Sequence, residues 1–101
     1  LQQADPPTAL FAASDEMAMG AVQAARHAGV GVPQDLSVIG IDDHEMAGLL
    51  DLTTVAQPVV AQGELAAGMI LAALHDPDEP LPAVTVPTEL VVRGTTGPVA
   101  R

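Results

Sequence analysis

Cysteine, tryptophan and tyrosine are absent from this 101-residue chain, and phenylalanine occurs once, as Phe11. Without cysteine there is no disulfide framework and no thiolate metal site. Hydrophobic residues still make up 49% of the sequence, so the chain can form a core. That core has to be aliphatic, built mainly from alanine, valine and leucine. The length leaves room for one small domain.

Positive charge is also scarce. Lysine is absent, the arginines are Arg26, Arg93 and Arg101, and the formal net charge is −10. A surface of this sign repels the phosphate backbone of a nucleic acid. We therefore expect that this chain does not bind DNA by itself.

No hydrophobic run is long enough to cross a membrane. The longest candidate, residues 59–74, is interrupted by Gln62, Gly63 and Glu64, whereas a spanning helix needs ~20 apolar residues. Neither end of the chain has a basic segment that leads into an apolar run, so no secretory signal is recognised. From this pattern we expect a soluble, cytoplasmic protein without a membrane partner.

The most informative segment is residues 37–43, SVIGIDD, an apolar run that ends on two carboxylates. A short run without alternation is typical of a strand buried on both faces of a parallel sheet. Ligands of open α/β sheets bind beyond the carboxyl ends of the strands, where Asp42 and Asp43 would lie. Neighbouring strand residues point to opposite faces unless the backbone turns between them. We expect Asp43 to cap a helix beginning at Glu45, and Asp42 to be the ligand residue.

Strand and helix signals alternate along the chain and predict an α/β fold with a parallel sheet. Ser14 is a good helix N-cap, and Gly29 supplies a left-handed stop. The tail from Gly94 onward is expected to fray. The predicted strands are residues 8–13, 37–43, 53–57, 83–86 and 89–93, and the predicted helices are residues 14–28, 44–50 and 59–75.

The first predicted helix has two faces of interest. A stripe of small residues at helical spacing is predicted to lie against the sheet, and it consists of Met17, Ala21, Ala24, Ala25 and Ala28. Met19 and Val22 lie on another side. Spacing alone favours an interpretation of these two as scattered surface residues, with a subunit interface as the alternative.

The titratable residues do not form a catalytic pattern. His27 and His75 each lie near the C-terminus of a predicted helix, where the helix dipole favours a positive charge. Their positions therefore have a structural explanation. His44 beside Asp42 and Asp43 is the one combination that resembles a metal site, and it lacks a further placed ligand. The sequence has no glycine-rich phosphate loop and no nucleophile elbow. We expect a protein that is not an enzyme and that holds neither a metal nor a cofactor.

Four stretches, taken in order, resemble the LacI/GalR family of bacterial repressors. They are PTALFAASDEMAMGA at residues 7–21, VPQDLSVIGIDD at 32–43, LTTVAQP at 52–58 and VPTELVVR at 86–93. The resemblance implies the effector-binding domain of such a repressor, with the fold of periplasmic sugar-binding proteins. In that fold two three-layer α/β lobes clasp a small molecule, and the chain crosses between them three times. The resemblance also implies that the helix-turn-helix and the first part of both lobes are missing from these residues.

The resemblance divides the chain into three parts. Residues 1–56 would be part of the C-terminal lobe of the effector-binding domain. Residues 57–86 would be a hinge crossing with a helix and a strand of the N-terminal lobe. Residues 87–101 would be the return crossing, the last strand of the C-terminal lobe and the tail.

The resemblance also assigns ligand-binding residues. Ser14, Asp42 and Gln57 match the family's polar ligand contacts, although Ser14 stands where the family more often has asparagine. A carboxylate accepts hydrogen bonds from two neighbouring hydroxyl groups, and an amide both donates and accepts, which suits a polyol. The family pairs its subunits through the helix after Ser14 and the segment after Asp43. The implied dimer interface therefore contains Met19, Val22, Leu49 and Leu50.

The function implied is effector sensing in a bacterial transcriptional repressor. The expected effector is a sugar or a related small polar molecule, the expected assembly is a homodimer, and operator DNA would be bound only through the missing N-terminal domain. The alternative is a sugar-binding protein of an ABC-type transport system. A helix-turn-helix upstream of Leu1 would favour the repressor, whereas a secretory signal there would favour the transport protein.

Overall fold

The computed structural model describes residues 4–99, which form two compact units. The first unit contains residues 4–56 and 89–99, and the second is Gln57–Thr88. In chain order the elements are β1 (Ala9–Phe11), α1 (Asp15–His27), β2 (Ser37–Asp42), β3 (Thr53–Ala56), α2 (Val59–His75) and β4 (Glu89–Val91). The predicted order of strands and helices is therefore confirmed, except for the helix expected between β2 and β3 and the strand expected at residues 83–86.

The four strands form one sheet in the order β1-β2-β3-β4. β1, β2 and β3 are parallel, and β4 runs antiparallel to β3. The predicted parallel sheet is confirmed for the first three strands. Because the carboxyl ends of parallel strands meet at the same edge of a sheet, Asp42 at the end of β2 lies opposite Ala56 at the end of β3.

Helix α1 starts and stops where local signals place it. The Ser14 hydroxyl accepts a hydrogen bond from the backbone N–H of Met17 at 3.2 Å, and Gly29 follows the helix with φ +79°. A side-chain cap satisfies one of the N–H groups that a helix leaves unpaired at its start. A left-handed residue ends the helix at little cost only when it is glycine.

The face of α1 that packs on the sheet differs from the predicted stripe. Its buried residues follow helical spacing, and they are Asp15, Ala18, Val22 and Ala25. Met17, which the stripe placed inside, is 62% exposed. The prediction holds at Ala25 and in part at Ala21, which is partly buried against the core. It was wrong for Met17, Ala24 and Ala28, because a helix rich in alanine and methionine gives little contrast between its faces. The interpretation of Val22 as a surface residue was also wrong, since its side chain lies in the core.

The core of the first unit lies between α1 and one face of the sheet. Val38 and Ala18 are fully buried there. The buried hydrophobic residues among those that the structure describes are all alanine, valine or leucine, as the composition predicts. Gly40 lets the helix come close, because a Cβ at this position would meet the Asp15 carboxylate, the Asp15 Cα at 3.0 Å and the Ala18 Cβ at 3.1 Å.

The other face of the sheet is largely apolar, with Ser37 and Thr53 as polar residues. The strand register places five large apolar side chains together on it, and they belong to Phe11, Ile39, Ile41, Val55 and Leu90. Phe11 is 60% exposed and Leu90 is 59% exposed. Within residues 4–56 and 89–99 the one helix is α1, on the opposite side. These residues thus supply the sheet and one helical layer of the predicted three-layer lobe.

Three local predictions were wrong. Residues 44–50 form turns rather than a helix, with Ala47 N donating to His44 O at 2.8 Å. Residues 83–86 form no strand, because the described segment 57–88 contains no other strand to take up their backbone hydrogen bonds. Within the described part of the tail, residues 94–99, Thr95 is held where fraying was expected: it is 2% exposed, and its hydroxyl donates to Val38 O at 2.8 Å. Residues 100 and 101 lie outside the described residues.

The second unit is built around α2. The helix begins after Pro58 and ends at His75, and none of its residues is buried. Apolar side chains such as Val60 and Leu74 are more than two-thirds exposed, at 75% and 72%. A helix with apolar residues on every side is normally buried. Among residues 4–99 no helix has both the length and the hydrophobicity that a membrane crossing requires.

We predict that Gly40→Ala lowers the free energy of unfolding by about 1–3 kcal/mol, because the added methyl group overlaps Asp15 and pushes α1 from the sheet. Chemical unfolding followed by circular dichroism measures the change. Gly20→Ala is the matched control within α1, since a Cβ at Gly20 has no atom within 4 Å. This control is expected to be neutral or to stabilise the helix by up to about 1 kcal/mol. Unchanged stability of Gly40→Ala would contradict the close packing.

Candidate functional site

The candidate site is the edge of the sheet where the parallel strands end. Ser14 follows β1, Asp42 is the last residue of β2, and Gln57 follows β3. Within the first unit, Asp42 ends β2, and Ser14 lies three residues beyond the end of the adjacent strand β1. Ser14 and Asp42 belong to the first unit, whereas Gln57 begins the second. A contact of any of them with a ligand stays a prediction.

The Ser14 side chain already has a structural task. Its oxygen caps α1 by accepting from Met17 N. A serine hydroxyl has one hydrogen to donate and a second lone pair, so the capping bond leaves both of these for a ligand. The side chain is half-buried, which keeps it oriented while leaving part of it accessible.

The backbone turns sharply at the two acids that end β2. Asp42 has φ +127° and Asp43 has φ +57°, in the half of conformational space that residues with a side chain rarely adopt. The extended strand geometry, which would send the two side chains to opposite faces, therefore stops at this point. Both side chains are exposed. Asp42 remains the candidate acceptor for ligand hydroxyl groups.

Asp43 forms an ion pair rather than the predicted helix cap. Its Oδ1 accepts from Arg93 Nη2 at 3.0 Å, and Arg93 Nη1 donates to the backbone oxygen of Leu52 at 3.0 Å. The cap prediction failed because residues 44–50 form no helix that Asp43 could cap. Sequence analysis had not selected Arg93, which connects the segment after β4 to the loop after β2.

A buried carboxylate underlies the same loop. Asp15 is fully buried; its Oδ1 accepts from Thr54 Oγ1 at 2.5 Å, and its Oδ2 accepts from His44 N at 2.7 Å. Thr54 is also fully buried, and its oxygen accepts from Asp43 N at 3.3 Å. In sequence terms Asp15 is an ordinary acidic residue in the first turn of a helix, where negative charge is favourable. Gly40 in an otherwise apolar strand was the one signal that something approaches the strand closely.

The histidine beside the acids does not form a metal centre. His44 Nδ1 accepts from Met46 N at 3.0 Å, and His44 Nε2 lies 3.9 Å from Glu16 Oε1 on the surface. Across residues 4–99 the structure places no three acidic or histidine side chains so that they could hold a metal ion.

Three of the four predicted interface residues line one small groove beside α1. Met19, Val22 and Leu50 line this groove of about 70 Å³ together with Arg26. Leu49, in the loop after Asp43, is 76% exposed. Val22 contributes an edge only, because it is 9% exposed. The structure thus brings the two predicted interface segments together on one side of the first unit.

Residues 1–96 match the model of a known family, described as a periplasmic binding protein-like domain. The chain belongs to this family. The HTH-type transcriptional regulator MalR of Streptomyces coelicolor is 44% identical over 91 residues, which cover 88% of the chain and 26% of that protein. The ribose operon repressor of Haemophilus influenzae is 43% identical over 81 residues, covering 78% of the chain and 24% of the repressor. The chain spans about a quarter of the length of these relatives.

Solved structures of LacI-family regulators share this fold. One from Enterococcus faecalis with bound ribose has a TM-score of 0.83 at 35% identity, over 95% of the chain and 37% of its own length. One from Lactobacillus casei with bound sucrose has a TM-score of 0.72 at 34% identity, over 89% and 34%. A dimeric Lac repressor has a TM-score of 0.75 at 35% identity, over 89% and 34%. The predicted family and fold are therefore confirmed.

We predict that Asp43 and Arg93 are energetically coupled. A double-mutant cycle with Asp43→Asn and Arg93→Gln, measured by urea unfolding, is expected to give a coupling energy of about 0.5–1 kcal/mol, the scale of a partly exposed ion pair. Arg93→Gln alone should cost more than Asp43→Asn alone, because Arg93 also holds Leu52 O. A cycle with Asp35→Asn in place of Asp43→Asn is the control and should be additive. Additivity of both cycles would contradict the ion pair.

Proposed function

We propose that this chain is part of the sugar-sensing domain of a LacI-type transcriptional repressor. The observation that carries the proposal is the position of Asp42, an exposed carboxylate at the edge of the sheet where the parallel strands end, in a chain that belongs to the periplasmic binding protein-like family. The names of the relatives, which are regulators and a ribose operon repressor, support the same reading. They lend no support to the alternative of a transport-type binding protein.

The proposed effector is a carbohydrate. Ribose and sucrose are bound in two structures that resemble this chain. Asp42 would accept from two neighbouring ligand hydroxyl groups, Ser14 would donate its remaining hydrogen, and Gln57 would donate and accept. Charge-assisted bonds of the Asp42 kind are the stronger ones. No metal, cofactor or catalytic step is part of this proposal.

The proposed signal is a change in the relation of two lobes. We assign residues 1–56 and 87–101 to the C-terminal lobe, and residues 57–86 to a hinge crossing and the N-terminal lobe. The division of the structure into two units with boundaries at Gln57 and Thr88 supports this assignment. A ligand held by both lobes favours the arrangement in which both can reach it. Operator DNA would be bound by a separate domain, because this chain carries a net charge of −10 and would repel the DNA phosphates. The proposed location is the cytoplasm.

We predict that Asp42→Asn in the full-length protein weakens sugar binding by about 1.5–3 kcal/mol, the usual scale for a hydrogen bond to a charged group. Titration calorimetry with D-ribose and with sucrose measures the affinity. Asp43→Asn is the matched control, because it makes the same change one residue away in a side chain that faces Arg93. It should change stability more than affinity. Equal affinity of Asp42→Asn and the unmodified protein would remove Asp42 from the site.

The proposed assembly is a homodimer formed through Met19, Val22, Leu49 and Leu50. The dimeric Lac repressor among the similar structures supports this assembly, as does the shared groove at Met19 and Leu50. Exposed leucines on one side of a unit are suitable for the core of an interface, where apolar side chains leave water on association.

We predict that Leu49→Asp shifts the full-length protein from dimer to monomer, because it places a charge in the proposed interface. Sedimentation velocity at micromolar concentration measures the state. Leu49 is 76% exposed, so the substitution should leave the fold of the subunit intact. Met17→Asp is the control, since Met17 is 62% exposed on another side of α1. An unchanged dimer in Leu49→Asp would contradict this interface.

A further inference from the structure

The backbone at Asp42 and Asp43 needs an explanation of its own. Positive φ values of 127° and 57° are unfavourable for residues with a side chain, and they persist where the surroundings leave no alternative. Such geometry tends to occur at sites where a side chain has to be aimed. The groups that enforce it are therefore candidates for a role in the site, even if they never touch a ligand.

Hydrogen bonds hold the backbone both before and after Asp42. On its N-terminal side the ladder between β2 and β3 fixes it opposite Ala56. On its C-terminal side the peptide group that joins it to Asp43 donates its N–H to Thr54 Oγ1 at 3.3 Å. The next peptide group donates the N–H of His44 to Asp15 Oδ2 at 2.7 Å. Two successive peptide planes after Asp42 are thus fixed by side chains from β3 and α1.

These two side chains also hold each other. Thr54 Oγ1 donates to Asp15 Oδ1 at 2.5 Å, and both residues are fully buried. Water cannot compete for these bonds, and in a dry environment a hydrogen bond to a charged group is short and strong. No buried polar side-chain atom within residues 4–99 is left without a partner. The pair therefore forms a rigid support under the loop that carries Asp42.

We propose that Asp15 and Thr54 are positioning residues of the effector site, which set the direction of the Asp42 carboxylate without touching the ligand. This inference rests on the proposed function for its role in binding, whereas the support itself is a property of the fold. Loss of the Thr54 hydroxyl would free the Asp43 peptide group and let Asp42 relax from its strained conformation. The carboxylate would then have to be reoriented each time a ligand binds.

The test compares Thr54→Val, which keeps the shape and removes the hydroxyl, with Thr54→Ser, which keeps the hydroxyl, in the full-length protein. Thr54→Val is expected to weaken D-ribose or sucrose binding about tenfold, the effect of roughly one hydrogen bond, and Thr54→Ser should retain the affinity. Amide hydrogen exchange at Asp43 and His44 should accelerate in Thr54→Val and stay unchanged in Thr54→Ser. Asp15→Asn, which removes one of the two carboxylate acceptors, should accelerate exchange at His44.

Thr95→Val is the matched control. Thr95 is 2% exposed, and its hydroxyl also donates one hydrogen bond and accepts one, to Val38 O and from Thr53 N. Thermal unfolding of Thr54→Val and Thr95→Val should show similar losses of stability. Only Thr54→Val should change the affinity and the exchange of the loop. Equal losses of affinity in both variants would mean a structural role alone and would overturn the proposal.

The readouts separate this inference from the proposed function. If the unmodified protein binds neither D-ribose nor sucrose, the proposed effector class is contradicted. Exchange at Asp43 and His44 then decides alone whether Thr54 and Asp15 support the loop. Unchanged exchange in Thr54→Val would overturn the inference whatever the protein binds. Faster exchange with unchanged sugar affinity would overturn it too, because the support would then have no effect on Asp42.

Discussion

The Asp15 carboxylate lies out of solvent at the start of α1, where it joins a helix, a strand and a loop. A buried carboxylate is costly unless donors surround it. Here Thr54 Oγ1 and His44 N fill that role, and the positive end of the helix dipole adds to it. The space for the group exists because residue 40 is glycine. These contacts consequently fix the position of α1 relative to the end of β2 and the start of β3.

Local signals were sufficient to predict much of this fold. Ser14 and Gly29 determine the ends of α1 through bonds within a few residues, and the run before Asp42 has the composition of a buried strand. Predictions that depend on distant partners failed. Residues 83–86 have strand-forming side chains but no neighbour to pair with among residues 57–88. Thr95 was expected to be in a loose tail, and it is held by Val38, which is 57 residues away in sequence.

The residues of the candidate site were likewise predictable where the signal is local, and unpredictable where it depends on a distant partner. Asp42 was predictable, because its place after a buried strand is a local feature. The partner of Asp43 was not, since Arg93 is separated from it by 50 residues. Asp15 has an ordinary local explanation as a first-turn acid, and its real surroundings depend on Thr54, which lies 39 residues further along. Buried side chains that hold a site loop in place are hard to predict from sequence when their hydrogen-bond partners are this distant.

The strand register carries a consequence for the chain's connectivity. Ala56, the last residue of β3, pairs with Glu89, the first residue of β4. The chain thus leaves the sheet and returns to it at facing positions of one antiparallel ladder. In this respect Gln57–Thr88 is an insertion at the tip of a β-hairpin, and a tight turn of about two residues is enough to join such strands. Excision of the insertion would turn a long-range strand pair into a local one, leaving the first unit as a continuous sheet with lower contact order.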